Sequence, residues 1–225
     1  MTDQRGKRAV LLGASGLIGG YCLEHLLADP TYDRVVTPLR RHLDLEHPKL
    51  TQRIVSFDHL SANADCFHGD DLFCCLGTTM RQAGTREQFR HVDLHLPLEC
   101  ARLAHENGMR RCLVITALGA DPDSRVFYNR VKGELEQALE TLGFSHLSIL
   151  RPSLLRGPRT QSRPGERLGE WVLAATSWLL VGPLRKYRAI HARVVAEALV
   201  AQAKREESGV FRLESDQIAR TASIS

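Results

Sequence analysis

The sequence predicts an α/β protein built on a doubly wound, mostly parallel sheet with a small C-terminal lobe. Strand-like and helix-like segments alternate along the chain. The strands read as apolar runs, as expected of strands covered on both faces. A glycine-rich turn joins the first strand to the first helix.

In chain order, residues 8–13 (RAVLLG) read as a strand, and 17–28 as a helix with apolar residues at helical spacing. Residues 34–39 form a second strand with Pro38 near its end, and 53–57 a short third. Segment 58–70 is too short and polar for a full helix, so that crossover is expected to shrink to a turn or loop. Residues 71–76 (DLFCCL) form a buried fourth strand. A helix over 86–107 is closed by Asn107-Gly108, a C-terminal stop signal. Residues 111–116 are the fifth strand, 126–142 a helix ended by Gly143, and 146–150 the sixth strand. Then come a loop, an apolar helix from about residue 166, a helix over 192–205 and a short strand over 210–213. Right-handed crossovers place the ligand crevice at the carboxyl ends of the strands.

The 225 residues suit one unit, 1–225, with the small lobe formed by about 151–186 and the tail. Hydrophobic residues make up 43% and charged residues 25%, which excludes a disordered chain or a disulfide-stapled scaffold. The net charge is +4, and residues 151–167 carry all of it through Arg151, Arg156, Arg159, Arg163 and Arg167 against Glu166. A basic loop in a neutral chain suits an anionic small ligand at least as well as a polymer, and reads equally as a solvated loop. No aromatic-interleaved basic stripe points to nucleic acid.

No secretory signal is expected, because Gly13 and Gly16 break the first apolar stretch. The longest apolar stretch, 171–184, falls short of the ~20 residues that cross a bilayer, so no membrane span is expected. The six cysteines (Cys22, Cys66, Cys74, Cys75, Cys100 and Cys112) form no C-x-x-C pair. They are expected to be buried reduced thiols of a cytoplasmic protein. His91 and His95 could share a helix face, but no third ligand stands at metal-site spacing, and no metal is expected.

The turn reads Gly13-Ala14-Ser15-Gly16-Leu17-Ile18-Gly19. Gly13 permits a tight turn, Gly16 lets backbone approach a pyrophosphate at the positive helix terminus, and Gly19 lets the helix pack on the sheet. Its place after the first strand points to a dinucleotide. The second strand ends at Arg40-Arg41, where an acid would bind ribose hydroxyls and an arginine accepts a 2′-phosphate. NADP(H) is therefore expected over NAD(H).

Tyr128 and Lys132 lie four apart on a helix and share a face. A phenol with its ordinary pKa of ~10 is a poor proton relay, and a neighbouring ammonium favours its ionised form. Thr116, ending the fifth strand, could offer its hydroxyl to a substrate carbonyl or serve as an ordinary strand-end residue.

The glycine turn with Tyr128 and Lys132 resembles the short-chain dehydrogenase/reductase superfamily. Phe73-Cys-Cys-Leu-Gly-Thr-Thr79, Ala117-Leu-Gly-Ala-Asp121, Tyr128-Asn-Arg-Val-Lys-Gly-Glu134, Arg151-Pro152 and Ser162-Arg-Pro-Gly-Glu166 resemble its atypical, Tat-interacting-protein-like and epimerase-like branch. The resemblance implies a Rossmann-type fold. It also implies that residues 14–18 wrap the pyrophosphate, Arg40 and Arg41 take the 2′-phosphate, and Asp58 touches adenine. Leu76, Gly77 and Thr78 would line the adenosine side, and Leu155 and Arg163 the nicotinamide end. Tyr128 would relay the proton with Lys132 as partner. Relatives carry Ser-Ser or Ser-Ala where this chain has Thr116-Ala117, and Asn is frequent at the Asp93 position.

The function expected is an NADP(H)-dependent oxidoreductase acting on a small carbonyl or alcohol, anionic if the basic loop selects it. A sugar-nucleotide epimerase and a non-catalytic NADPH sensor that binds a protein partner are the alternatives. The chain itself suits a monomer or a homodimer equally.

Overall fold

The computed structural model describes residues 6–157 and 182–223. The first half runs β1 (Lys7–Leu12), α1 (Leu17–Ala28), β2 (Tyr32–Leu39), β3 (Leu50–Ile54), a 3₁₀ turn (Leu60–Phe67) and β4 (Asp71–Cys74). Next come α2 (Met80–Ala83), α3 (Arg86–Arg90), a π-turn (His91–His95), α4 (Leu96–Glu106), β5 (Arg111–Ile115), α5 (Phe127–Thr141) and β6 (His146–Arg151). After β7 (Leu155–Arg156) the description resumes with a 3₁₀ turn (Gly182–Tyr187), β8 (Ile190–His191), α6 (Ala192–Ala203), β9 (Gly209–Glu214) and α7 (Ser215–Ala222).

Seven strands form one sheet in the order β3-β2-β1-β4-β5-β6-β9, and every neighbouring pair is parallel. The order reverses at β1: the chain moves outward to β2 and β3, then returns to β4 on the other side. Alternation along the strands sends successive residues to opposite faces. Ala9 and Leu11 of β1 pack with α1, α6 and α7, whereas Val10 and Leu12 pack with α4, α5 and the 3₁₀ turn. The sheet is thus covered on both sides, which is why its central strands are apolar throughout. β7 and β8 pair separately in a two-stranded sheet.

Three expectations need correction. The third strand is Leu50–Ile54, paired with Val35–Leu39, and not residues 53–57. It is an edge strand that exposes Arg53 and Ile54, so its apolar pattern is diluted. Helices α2 and α7 were not expected; Thr79 caps the first, and a Glu214–Gln217 capping box starts the second. The helix expected over 86–107 is broken by the π-turn. Proline lacks an N–H and its ring crowds the carbonyl four residues back. For Pro97 that carbonyl belongs to Asp93, and the ladder widens so that the Leu96 N–H reaches the His91 carbonyl five residues earlier. The apolar helix expected from residue 166, and with it most of the C-terminal lobe, lies outside the described residues.

His146, buried at the start of β6, pins the last strand to the sheet. Its Nδ1 lies 2.8 Å from the Glu207 carbonyl and its Nε2 2.9 Å from Ser148 Oγ. The carbonyl only accepts, so Nδ1 donates. Burial, followed by Arg111 and Arg205, pushes its pKa below the ordinary value. A histidine depressed in the folded state loses stability as pH falls below the unfolded value of ~6.5. Urea titrations from pH 8 to 5 should show stability declining below about pH 6.5. In His146→Gln that part of the decline should disappear, whatever the variant's stability at pH 8.

Candidate functional site

The sheet reverses between β1 and β4, and the loops leaving these strands form a crevice. Gly13 leaves β1 with φ of 78°, and a Cβ there would stand 2.6 Å from the Cys75 carbonyl oxygen that follows β4. A Cβ on Gly19 would stand 2.0 Å from the Gly13 oxygen. A side chain at Gly13 would force the turn away from the loop after β4, and one at Gly19 would force α1 away from the turn. Gly16 is the N-cap of α1, no side chain caps this end, and no acid occupies its first turn. The terminus therefore offers backbone N–H groups and a positive dipole end. Ser15 and Gly16 are exposed, Ala14 and Ile18 belong to the core, and Leu17 packs beside Gly157.

Arg40 and Arg41 stand exposed just beyond β2, and Asp58 is exposed in the turn beyond β3. Leu76, Gly77 and Thr78 follow β4. All these residues lie past the carboxyl ends of adjacent strands. Leu155 lies in β7 and is half-buried. Arg163, like Arg159 and Arg167, lies outside the described residues.

Helix α5 brings in Tyr128 and Lys132. Lys132 is 3% exposed, and its Nζ lies 2.7 Å from Asp93 Oδ1. Asp93 Oδ2 accepts the Thr78 N–H at 2.8 Å. One buried carboxylate thus joins the π-turn, the loop after β4 and α5. Burial alone would lower the lysine's pKa, but Asp93 outweighs it and the ammonium is held above its usual range. A Cβ on Gly77 would lie 3.7 Å from Lys132 Nζ, so the loop backbone passes directly over the ammonium. Tyr128 is half-buried, with its ring centroid 5.5 Å from that of Phe89.

Tyr128 also lines a cleft of about 640 Å³ with Thr116, Ala117, Leu118, Asn129 and Leu155 on its described walls. Lys186, Tyr187 and Glu214 also line it, and Lys186 Nζ is 3.2 Å from Glu214 Oε2. Further along α5, a Cβ on Gly133 would stand 2.2 Å from the Asp121 carbonyl carbon. Only glycine lets the loop after β5 lean on the helix. This accounts for the glycine that follows Lys132.

Thr116 lines the cleft, but its hydroxyl donates to Glu136 Oε1 at 2.6 Å. In this structure that hydrogen is engaged by Glu136 and not directed into the cleft. Glu136 was missed as a site residue. Its sequence signal was a carboxylate on the face of α5 that also carries Val131, Leu135 and Leu139, all buried. His91 and His95 fall on the π-turn, and among the described residues no group of His, Cys, Asp or Glu is placed to hold a metal. All six cysteines are free; burial pushes the Cys74 thiol up to about 12. No helix among the described residues is long and apolar enough to cross a membrane.

No protein-family model matches the chain. Curated relatives do. Rat protein HTATIP2 is 39% identical over 168 residues, 73% of this chain and 69% of that one. The chain belongs to the HTATIP2/FMP52 family of atypical short-chain dehydrogenases/reductases. The Aspergillus terreus family member fmp52-1 is 34% identical over 215 residues, 92% of this chain and 88% of the relative. The Saccharomyces cerevisiae member FMP52 is 35% identical over 157 residues, 68% of each chain. Both fungal family members are named mitochondrial, which overturns the cytoplasmic expectation. That expectation rested on buried thiols, and burial shields a thiol in any compartment. Among solved structures, MoeE5 in complex with UDP-glucose and NAD matches with a TM-score of 0.68 at 15% identity, over 98% of this chain and 82% of that one. The Thermotoga maritima UDP-glucose 4-epimerase gives 0.68 at 14% identity, over 96% and 82%. At such identities the likeness shows the fold alone: a Rossmann-like, seven-stranded parallel sheet flanked by helices.

Replacing Asp93 by alanine should leave the Lys132 ammonium buried without its counter-charge. Urea unfolding at pH 7 should show a loss of about 3–5 kcal/mol, and a smaller loss for Asp93→Asn, which still offers an oxygen.

Proposed function

We propose that the chain is an NADP(H)-dependent oxidoreductase that interconverts a small carbonyl compound and its alcohol, with Tyr128 as proton relay. One observation carries the reading: a continuous path of contacts from the dinucleotide turn to the phenol's helix. Gly13 touches Cys75, Leu76 and Gly77 follow, and Gly77 passes over Lys132, one helical turn from Tyr128.

The residues fit a dinucleotide. Gly13 and Gly19 let the turn pack tightly against neighbouring backbone, and the uncapped α1 terminus presents donors for a pyrophosphate. Arg40 and Arg41 would hold a 2′-phosphate, which favours NADP(H). When bound, the nicotinamide supplies or accepts the hydride. Asp93 fixes the Lys132 ammonium one helical turn from Tyr128. During reduction the carbonyl carbon gains the hydride and its oxygen gains the Tyr128 proton, which solvent then restores. Leu118, Pro152 and Leu155 supply apolar surface that excludes water around the substrate.

Two measurements test this. Calorimetry should detect NADPH binding, and the pair Arg40→Ala and Arg41→Ala should weaken NADPH at least about tenfold while leaving NADH nearly unchanged, since only the 2′-phosphate contacts are lost. Failure to bind either nucleotide at millimolar concentration would refute the reading. Second, Tyr128→Phe should lower carbonyl reduction about 10²- to 10⁴-fold with NADPH affinity retained. Turnover at the wild-type rate would remove Tyr128 from the chemistry.

A further inference from the structure

Glu136 lies on α5 one turn beyond Lys132 and is 2% exposed. Besides the Thr116 hydroxyl, its carboxylate accepts from Arg151, whose Nε lies 3.0 Å from Oε1 and 3.1 Å from Oε2. Arg212 Nε approaches Oε2 to 3.7 Å. The carboxylate therefore ties together α5 with its phenol, the end of β5 and the end of β6, all elements that border the cleft.

A carboxylate clasped by a guanidinium has acceptors only. The hydrogen between Thr116 Oγ1 and Glu136 Oε1 consequently belongs to the threonine. A hydroxyl has one hydrogen and two lone pairs. With that hydrogen turned to Glu136, Thr116 can meet a ligand only as an acceptor.

We propose that Glu136 is a positioning residue that keeps the Thr116 hydrogen out of the cleft, so that the cleft receives a hydroxylated substrate whose own O–H donates to Thr116. A simple aldehyde finds no donor there. A hydroxyaldehyde or hydroxyketone presents both a carbonyl for Tyr128 and a hydroxyl for Thr116. The ligand half of this proposal rests on the oxidoreductase reading; the Glu136 half rests on the protein's own hydrogen bonds.

D-glyceraldehyde and propanal share a three-carbon chain and differ in hydroxyl groups, so they serve as probes with NADPH. The ratio of their kcat/KM values should fall about three- to tenfold in Thr116→Val, through the KM of the hydroxyaldehyde, and persist in Thr116→Ser. Equal slowing of both aldehydes in Thr116→Val would overturn the proposal, because the threonine would then be donating to the reacting oxygen. Proton NMR of the protein without nucleotide reads the other half. The Thr116 hydroxyl hydrogen should give an exchange-protected resonance that moves upfield in Glu136→Gln, where a neutral amide replaces the carboxylate. Its absence from the wild-type spectrum would overturn the role of Glu136. A protein that shows the resonance yet reduces neither aldehyde upholds Glu136 and refutes the oxidoreductase reading instead.

Discussion

The buried ion pair between Lys132 and Asp93 is the constraint on which the site depends. Taking both charges out of water costs several kcal/mol, which their attraction offsets only in good geometry. The geometry here is supplied from three directions: the π-turn aims the carboxylate, the Thr78 N–H fixes its second oxygen, and α5 delivers the ammonium. None of the three can shift without exposing an unpaired charge. The loop after β4 and the helix that carries the phenol are thereby locked to each other.

Backbone proximity is the second constraint. The turn after β1 lies against the loop after β4 because Gly13 lacks a side chain, and the loop after β5 lies against α5 because Gly133 does. Both glycines act by what they leave out, and in both cases the neighbour is backbone, which cannot rotate away as a side chain can.

Much of this was legible in the sequence. The turn between β1 and α1 announced itself because strand, glycines and helix are contiguous, and the apolar runs of β1, β4, β5 and β6 reported burial on both faces. Tyr128 and Lys132 were legible through helical periodicity. What escaped notice had other causes. β3 slipped because an edge strand with Arg53 and Ile54 in solvent has no clean pattern. The π-turn was written in Pro97, but its effect falls on a carbonyl four residues earlier, inside what read as one helix. The partnership of Thr116 with Glu136 joins residues 20 apart, which no local periodicity records. The compartment was misjudged because side-chain burial answers a question about packing, not about location.

The distribution of sulfur has its own use. Cys22, Cys66, Cys74, Cys100 and Cys112 are buried, and they fall in α1, the 3₁₀ turn after β3, β4, α4 and β5; Cys75 alone is half-buried. An alkylating reagent reaches an interior thiol only when the segment bearing it opens. The native chain therefore carries its own set of probes for local breathing, spread over both layers of the sheet, and the order in which they are labelled would chart how the fold comes apart without a single introduced residue.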